Sequence, residues 1–512
     1  MIRIVCLMSL FSAALGFFPS HGRTARRGSS LSDAQNGPFD GVHLLSELRA
    51  GGFARLSAEI SPDAQLVLIG EGTHGTEEFF RVRAEITQCF VAHHHFDAVV
   101  CEGDVRPFFQ LNEFASNGSA EDRASLRRAE KEDGTIPEIS RSMLAELFRD
   151  RFPDWMWSNA AMASFVAWLK EYNACARKTK SPVQLLGMDI QSPVSSMEYV
   201  LDQLVAMGED AAARSIHQCY ATLLSYQSDL RRYGNDVYSN KMSSQAEKVA
   251  RARDILVSLH QNNTESRPRH ETLDATWFEL MENGHSVVAS EAYFRQRIYP
   301  GHATTWNVRT RAMLDSISRI RARLGTRHAA VDDEAVVRVP RLVVWAHNSH
   351  VGDMSATGYA KLGQASLGQL CRETFGRDRV FLIGMTTFEG EVRAARADRH
   401  GACWEGRGEV ATLQRAAEGS HESVLHSVAA RTRLRCGEDA YGLRLRRTRN
   451  EDIEGGSGED AREPSFDCLR PERFVGSCYL PQTEQMSHYT KCNMANQLDF
   501  VFHMDKTSAI KV

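Results

Sequence analysis

Several signatures are missing from this 512-residue chain, and each absence removes a class of protein. No G-x-S-x-G nucleophile elbow occurs, which disfavours a serine-hydrolase route. The eleven cysteines are scattered and contain no C-x-x-C pair, which argues against a disulfide scaffold and a zinc ribbon. In an oxidising compartment, surface pairs among Cys436, Cys468, Cys478 and Cys492 remain open. There is no excess of basic charge: the formal net charge of -4 argues against nucleic acid as the main partner. No internal repeat of 20–50 residues is evident. What remains is an ordinary soluble composition, 42% apolar and 25% charged, on a chain long enough for a large core and more than one domain.

The first 40 residues stand apart. Arg3 precedes an apolar run from Ile4 to Phe18, and Arg23, Arg26 and Arg27 follow. The run is short for a membrane span and resembles a signal-peptide core followed by a basic, acid-free stretch. A secretory signal and an organelle import segment both fit, as does a tethering anchor. Residues 1–40 are therefore read as targeting.

Residues 60–190 alternate short apolar runs with helical periodicity, the signature of βαβ units. A helix is expected from Thr76 to about His93, and a helical, aromatic stretch from Ser142 to Tyr172. Residues 191–335 hold no convincing strand. They read as a helical insertion with helices near Val194–Ala206, Ala211–Tyr233, Ser243–Asn262, Leu273–Ile298 and Asn307–Leu324, serving as a lid or as structural support. Strands resume at Arg341–His347 and Val380–Thr386, with Phe474–Leu480 and Asp499–Met504 in the tail. The charged, Gly-rich stretch 445–466 reads as a disordered surface insertion. The expected fold class is α/β, a central and mostly parallel sheet flanked by helices. Residues 41–190 and 336–512 supply the two parts of its catalytic core, and 191–335 the insertion.

Four expected strands run into ionisable residues: Leu66–Gly70 into Glu71, Ala98–Cys101 into Glu102, Val183–Met188 into Asp189 and Leu342–Ala346 into His347. In an open α/β sheet, ligands bind outside the carboxyl ends of the strands. After the first of these strands, Gly70-Glu71-Gly72-Thr73-His74 forms a Gly-rich turn that lets backbone approach a ligand. His74 is suited to general-base work, or is a solvated loop residue beside a helix-capping Glu71. Phe79, Arg83, Ile86 and Phe90 share one face of the next helix, so Arg83 points toward the core and needs a carboxylate such as Glu71 or Glu102. His347 and His350, three apart, suit metal binding, hydrogen bonding to an oxyanion or proton transfer. His93, His94 and His95 complement a helix dipole. His488 is an isolated loop histidine.

These motifs resemble the erythromycin esterase family. The resemblance rests on "GEGTHGTEEFFRVRAEIT" at 70–87, "CEGD" at 101–104, "FPDWMWSN" at 152–159 and "LLGMDIQS" at 185–192. It continues in order through "EAYFRQRI", "TTWNVRTRAM", "WAHNSHVGDM", "SLGQLCRETFG", "PQTEQMSHY" and "QLDFVFHMD", spanning roughly residues 40–505. It implies an α/β hydrolase that opens esters or macrolactones, with His74 as general base and no cofactor. The accompanying site positions fall on Glu71, Arg83, Glu102, His347 and His350, with Asp189 and His488 as substrate-binding or supporting residues. Departures are peripheral: Val105 where the family often has Trp, an unusual "MSATGYAKLGQ" run, and a poor match over 392–472. A macrolide substrate and a part in antibiotic response belong to the family name. The partner expected is a small-molecule ester or lactone. Two alternatives stay open: a metal-dependent hydrolase using Glu71, His74, Glu102, His347 and His350 as ligands to a divalent metal, and a non-enzymatic protein binding a small molecule or metal complex.

Overall fold

The computed structural model describes residues 42–116, 138–149, 151, 153–176, 181–227, 229–266, 271–297, 302–331, 338–396, 408–445 and 465–512. The targeting segment (1–40) and nearly all of the charged stretch 445–466 lie outside these residues.

The strands in chain order are β1 (Val42–Leu44), β2 (Leu66–Ile69), β3 (Ala98–Asp104), β4 (Gln184–Asp189), β5 (Leu342–Trp345), β6 (Val380–Arg396), β7 (Glu409–Leu413), β8 (Ala440–Arg444), β9 (Leu469–Arg473), β10 (Cys478–Tyr479), β11 (Tyr489–Asn493) and β12 (Phe500–Thr507). The main sheet runs β1-β8-β12-β6-β2-β5-β3-β4. From β12 to β4 every neighbour is parallel, and β8, β1 and β7 join antiparallel. The sheet is thus mostly parallel, as the alternation of strand and helix signals implies. A separate antiparallel pair is formed by β9 and β11.

Strand residues divide between two cores by the period-2 rule. Val67 and Ile69 of β2 join Phe79, Ile86 and Phe90 of helix Glu77–His94 on one face. Leu66 and Leu68 join Met313, Ile317, Ile320 and Leu324 of helix His302–Val331 on the other. Because both faces are covered, β2 and β5 are apolar throughout, as buried parallel strands are. Between β4 and β5 the helices from Pro193–Ala206 to Glu271–Gln296 pack around their own core, which includes Tyr220, Tyr233, Leu256 and Trp277, while helix His302–Val331 joins them to the sheet.

Some elements differ from expectation, for local reasons. The stretch Ser142–Tyr172 is not one helix. Helix Glu138–Leu147 ends, a 3₁₀ turn follows Pro153, and Asn159 accepts from the Met162 amide to start helix Ala160–Ala176. Ala211–Tyr233 also splits, into Asp210–Leu224 and Leu230–Tyr238. Gln227 adopts a left-handed φ of 51° at the break, and Asp229 caps the second helix. β6 runs ten residues past the expected end because its second half pairs with β7 and β10 and buries Val392 and Ala394 against Val475 and Tyr479. Of the expected strand Phe474–Leu480 only Cys478–Tyr479 pairs with β6, because Val475 bridges the turn at Thr73 instead. Cys478 is disulfide-bonded, whereas Cys468 and Cys492 are free thiols. Among the described residues no helix is long and apolar enough to cross a membrane.

Candidate active site

Strand register brings the ionisable strand ends to one place. Trp345 of β5 lies opposite Ile69 of β2 on one side and Cys101 of β3 on the other, and Cys101 lies opposite Gly187 of β4. The residues one or two positions further along each strand therefore converge at the carboxyl edge of the sheet: Glu71, His347, Glu102 and Asp189. All four are buried.

The turn after β2 is held on both sides. Gly72 N–H donates to Met385 O at 2.9 Å, Val475 N–H donates to Gly72 O at 2.9 Å, and His74 N–H donates to Val475 O at 3.1 Å. This close approach requires glycine: a Cβ on Gly75 would sit 1.8 Å from the Arg393 carbonyl oxygen. The turn delivers His74 to Glu71, whose Oε1 accepts from Nδ1 at 2.9 Å. The other carboxylate oxygen of Glu71 lies 3.3 Å from Arg83 Nη1. Arg83 is fully buried, its guanidinium 4.3 Å from the Phe80 ring centre and 4.6 Å from that of Trp345. Aromatic faces and the Glu71 ion pair thus support a buried cation whose nitrogens make no hydrogen bond among the described residues. With Nδ1 engaged, Nε2 of His74 makes no hydrogen bond among the described residues.

Opposite stands a denser cluster centred on Arg309. Its Nε and Nη2 donate to the two oxygens of Asp189 at 2.9 and 2.8 Å, Nη2 donates to Glu102 Oε1 at 2.6 Å, and Nη1 lies 2.9 Å from His350 Nε2. His350 Nε2 is also 3.3 Å from Glu102 Oε1. Burial pushes the Glu102 carboxyl up, but His350 and Arg309 outweigh it and hold the group well below the usual carboxylate range. The same contest, decided by Arg309, lowers Asp189. The other oxygen of Glu102 accepts from the His347 amide at 2.8 Å.

The two histidines of the second motif are not equivalent. His347 donates from Nε2 to Gly72 O at 3.2 Å and accepts at Nδ1 from the Ser349 hydroxyl at 2.8 Å. Both ring nitrogens are committed, and burial followed by His74 pushes its pKa well below the usual value. Its ring lies 4.8 Å from that of His74, so it is a neutral wall beside that residue. His350 stacks flat on Trp306, with ring centres 4.3 Å apart and planes 2° apart, and its Nδ1 is buried without a hydrogen-bond partner among the described residues.

The sequence-derived residues Glu71, His74, Arg83, Glu102, Asp189, His347 and His350 thus form one connected group. His488 stands outside it. Its Nε2 accepts from Leu480 N–H and its Nδ1 donates to Phe474 O, bracing the segment behind His74. Burial pushes its pKa down to about 4. Reasoning from sequence missed Arg309 and Trp306. The signal for Arg309 was present: residues 309, 313, 317, 320 and 324 form a helical stripe whose other members are apolar, the pattern that marks Arg83. Trp306 carried no such mark. Both come from helix His302–Val331, which packs on the sheet and therefore contributes directly to the site.

Among the described residues, no three His, Cys, Asp or Glu side chains are arranged to hold a metal ion. The carboxylates a metal would use are engaged with Arg83, His74, Arg309 and backbone amides.

Comparison with known proteins agrees with this architecture. The chain resembles in fold a succinoglycan biosynthesis protein (TM-score 0.61, 18% identity, covering 90% of this chain and 92% of that one). A Bacillus cereus protein matches with a TM-score of 0.63 at 18% identity, covering 92% and 96% of the two chains. A mutant of the erythromycin esterase EreC, in its open conformation, matches with a TM-score of 0.55 at 16% identity, covering 89% and 93%. The erythromycin esterase family profile matches residues 91–507. The chain belongs to the erythromycin esterase family.

Proposed function

We propose that the protein is a hydrolase that cleaves a small-molecule ester or lactone, with His74 activating water as a general base. The observation that carries this reading is the Arg83–Glu71–His74 chain. Arg83 anchors one oxygen of Glu71, the other fixes Nδ1–H of His74, and Nε2 is left free to take a proton. Such an arrangement sets the tautomer and stabilises the imidazolium that forms. General-base help of this kind contributes about 10²–10⁴ in rate.

The oxyanion side falls to His350. Arg83 is enclosed by aromatic rings and His347 has both nitrogens committed. In the tautomer where His350 accepts the Arg309 N–H at Nε2, its own proton sits on Nδ1, an atom with no hydrogen-bond partner among the described residues. A donor aimed at developing charge contributes about 3–4 kcal/mol in comparable sites. Arg309, neutralised by Asp189 and Glu102, holds that tautomer and links the insertion to the core.

The test is turnover of a panel of aryl esters, simple lactones and macrolactones by the purified protein, before and after exhaustive chelation. Chelator-insensitive hydrolysis of at least one member is expected. Hydrolysis that disappears with chelation and returns with a divalent metal contradicts the general-base mechanism. Absence of any turnover across the panel contradicts the hydrolase reading.

A further inference from the structure

We infer that Trp306 is a positioning residue for this chemistry, acting through His350. The inference rests on the hydrolase reading above and adds a residue outside the seven sequence-derived ones grouped there.

The imidazole of His350 is held along one edge only. Nε2 meets Arg309 Nη1 and Glu102 Oε1, while Nδ1 has no hydrogen-bond partner among the described residues. Rotation about the last side-chain bond of histidine is broad, so contacts at one nitrogen do not fix the plane of the ring. The plane is fixed by Trp306, whose indole lies parallel to it at 4.3 Å.

Trp306 is itself anchored. Its Nε1–H donates to the Ala365 carbonyl at 2.8 Å. The next residue, Asn307, accepts from the Ala365 amide at 2.9 Å and donates to the Gly363 carbonyl at 2.8 Å. The indole is thus tied to the 363–365 loop while its face covers His350. Arg309, one turn along the same helix, grips the edge of the same imidazole. A single helical turn of the insertion therefore controls both the position and the plane of the proposed oxyanion donor. Trp306 is only half-buried, so its substitution leaves the two main cores intact.

The experiment is a double-mutant cycle on the full-length protein, using an ester that the wild type turns over. Trp306→Leu keeps bulk and loses the flat face. It is expected to lower kcat about tenfold, the scale of one lost aromatic stacking contact, with KM changed less than about twofold. Trp306→Phe keeps a flat face and is expected to restore most of that loss. In a His350→Ala background, Trp306→Leu is expected to cost less than about twofold more, because residues acting as one unit are not additive. Equal losses in both backgrounds overturn the inference. So does a harmless Trp306→Leu when His350→Ala is damaging, an outcome that leaves the hydrolase reading standing. A harmless His350→Ala removes both the oxyanion assignment and the role of Trp306. Thermal melts of each variant identify any loss that comes from unfolding.

Discussion

Asp189 and Arg309 are 120 residues apart in sequence, yet both carboxylate oxygens of the first accept from the guanidinium of the second. The pair ties the end of β4 to the last helix before β5, and through Arg309 it reaches Glu102 and His350.

Removing Arg309 is predicted to be costly in a pH-dependent way. In Arg309→Met, Glu102 and Asp189 become buried carboxylates without their cation, a change worth about 3–5 kcal/mol of stability at pH 7. In the wild type these groups are held below their ordinary pKa, so their pairing stabilises the fold at neutral pH and is lost as pH falls through the depressed values. The variant, whose carboxylates take up protons readily, should therefore lie closest to wild type in acid. Urea denaturation at pH 7 and pH 5 checks this, and a penalty that grows at pH 5 contradicts it. Arg309→Lys should recover only part of the loss, since an ammonium cannot grip Asp189 with two donors.

Glu71→Gln should cost stability, because the buried Arg83 loses its counter-charge, and should also cost catalysis. The amide oxygen can still accept from His74 Nδ1, but it carries no charge to stabilise an imidazolium. A fall in kcat of about 10² or more is expected, with KM little changed. Steady-state kinetics on a soluble, cooperatively melting variant would settle the matter, and near-wild-type kcat would remove Glu71 from the mechanism.

Glu472 gives a prediction away from the site. It is fully buried beside Glu422, with Cys492 and Gln497 nearby. Burial, reinforced by Glu422, pushes its pKa up to about 8. The folded state therefore binds a proton that the unfolded chain releases near pH 4.5. Stability should fall as pH rises from there through about 8, at roughly 1.4 kcal/mol per unit. Glu472→Gln should match the wild type near pH 4.5 and exceed it in melting temperature at pH 8. Equal melting temperatures at pH 8 would show that the carboxyl is not held protonated.

Gly75→Ala is predicted to cost both stability and activity. Its Cβ would collide with the backbone of Arg393 in β6, not with a movable side-chain tip. The loss should reach about 3 kcal/mol, at the upper end for overpacking, and the turn carrying His74 should shift. Chemical denaturation and ester turnover both report on this, and a wild-type melt would show that the turn tolerates the added methyl.

Much of this site was legible because it sits at the ends of buried strands. Glu71, Glu102, Asp189 and His347 each follow an apolar run, and period-2 burial leaves few places for such residues other than the carboxyl edge of the sheet. Arg83 was legible from helical spacing. Other features depend on contacts between distant segments. Nothing around His347 indicates that Gly72 O occupies its Nε2, and nothing around Trp306 indicates that it faces His350. The length of β6 was hidden for the same reason: its polar residues Glu389, Glu391 and Arg393 alternate with ones buried by later segments.

The central claim is that His74 is the base. Its most direct test is steady-state hydrolysis of an activated ester by the wild type and His74→Ala, with far-UV circular dichroism on both. The account predicts that His74→Ala loses hydrolysis while its spectrum matches the wild type. Full activity in a folded His74→Ala would contradict it.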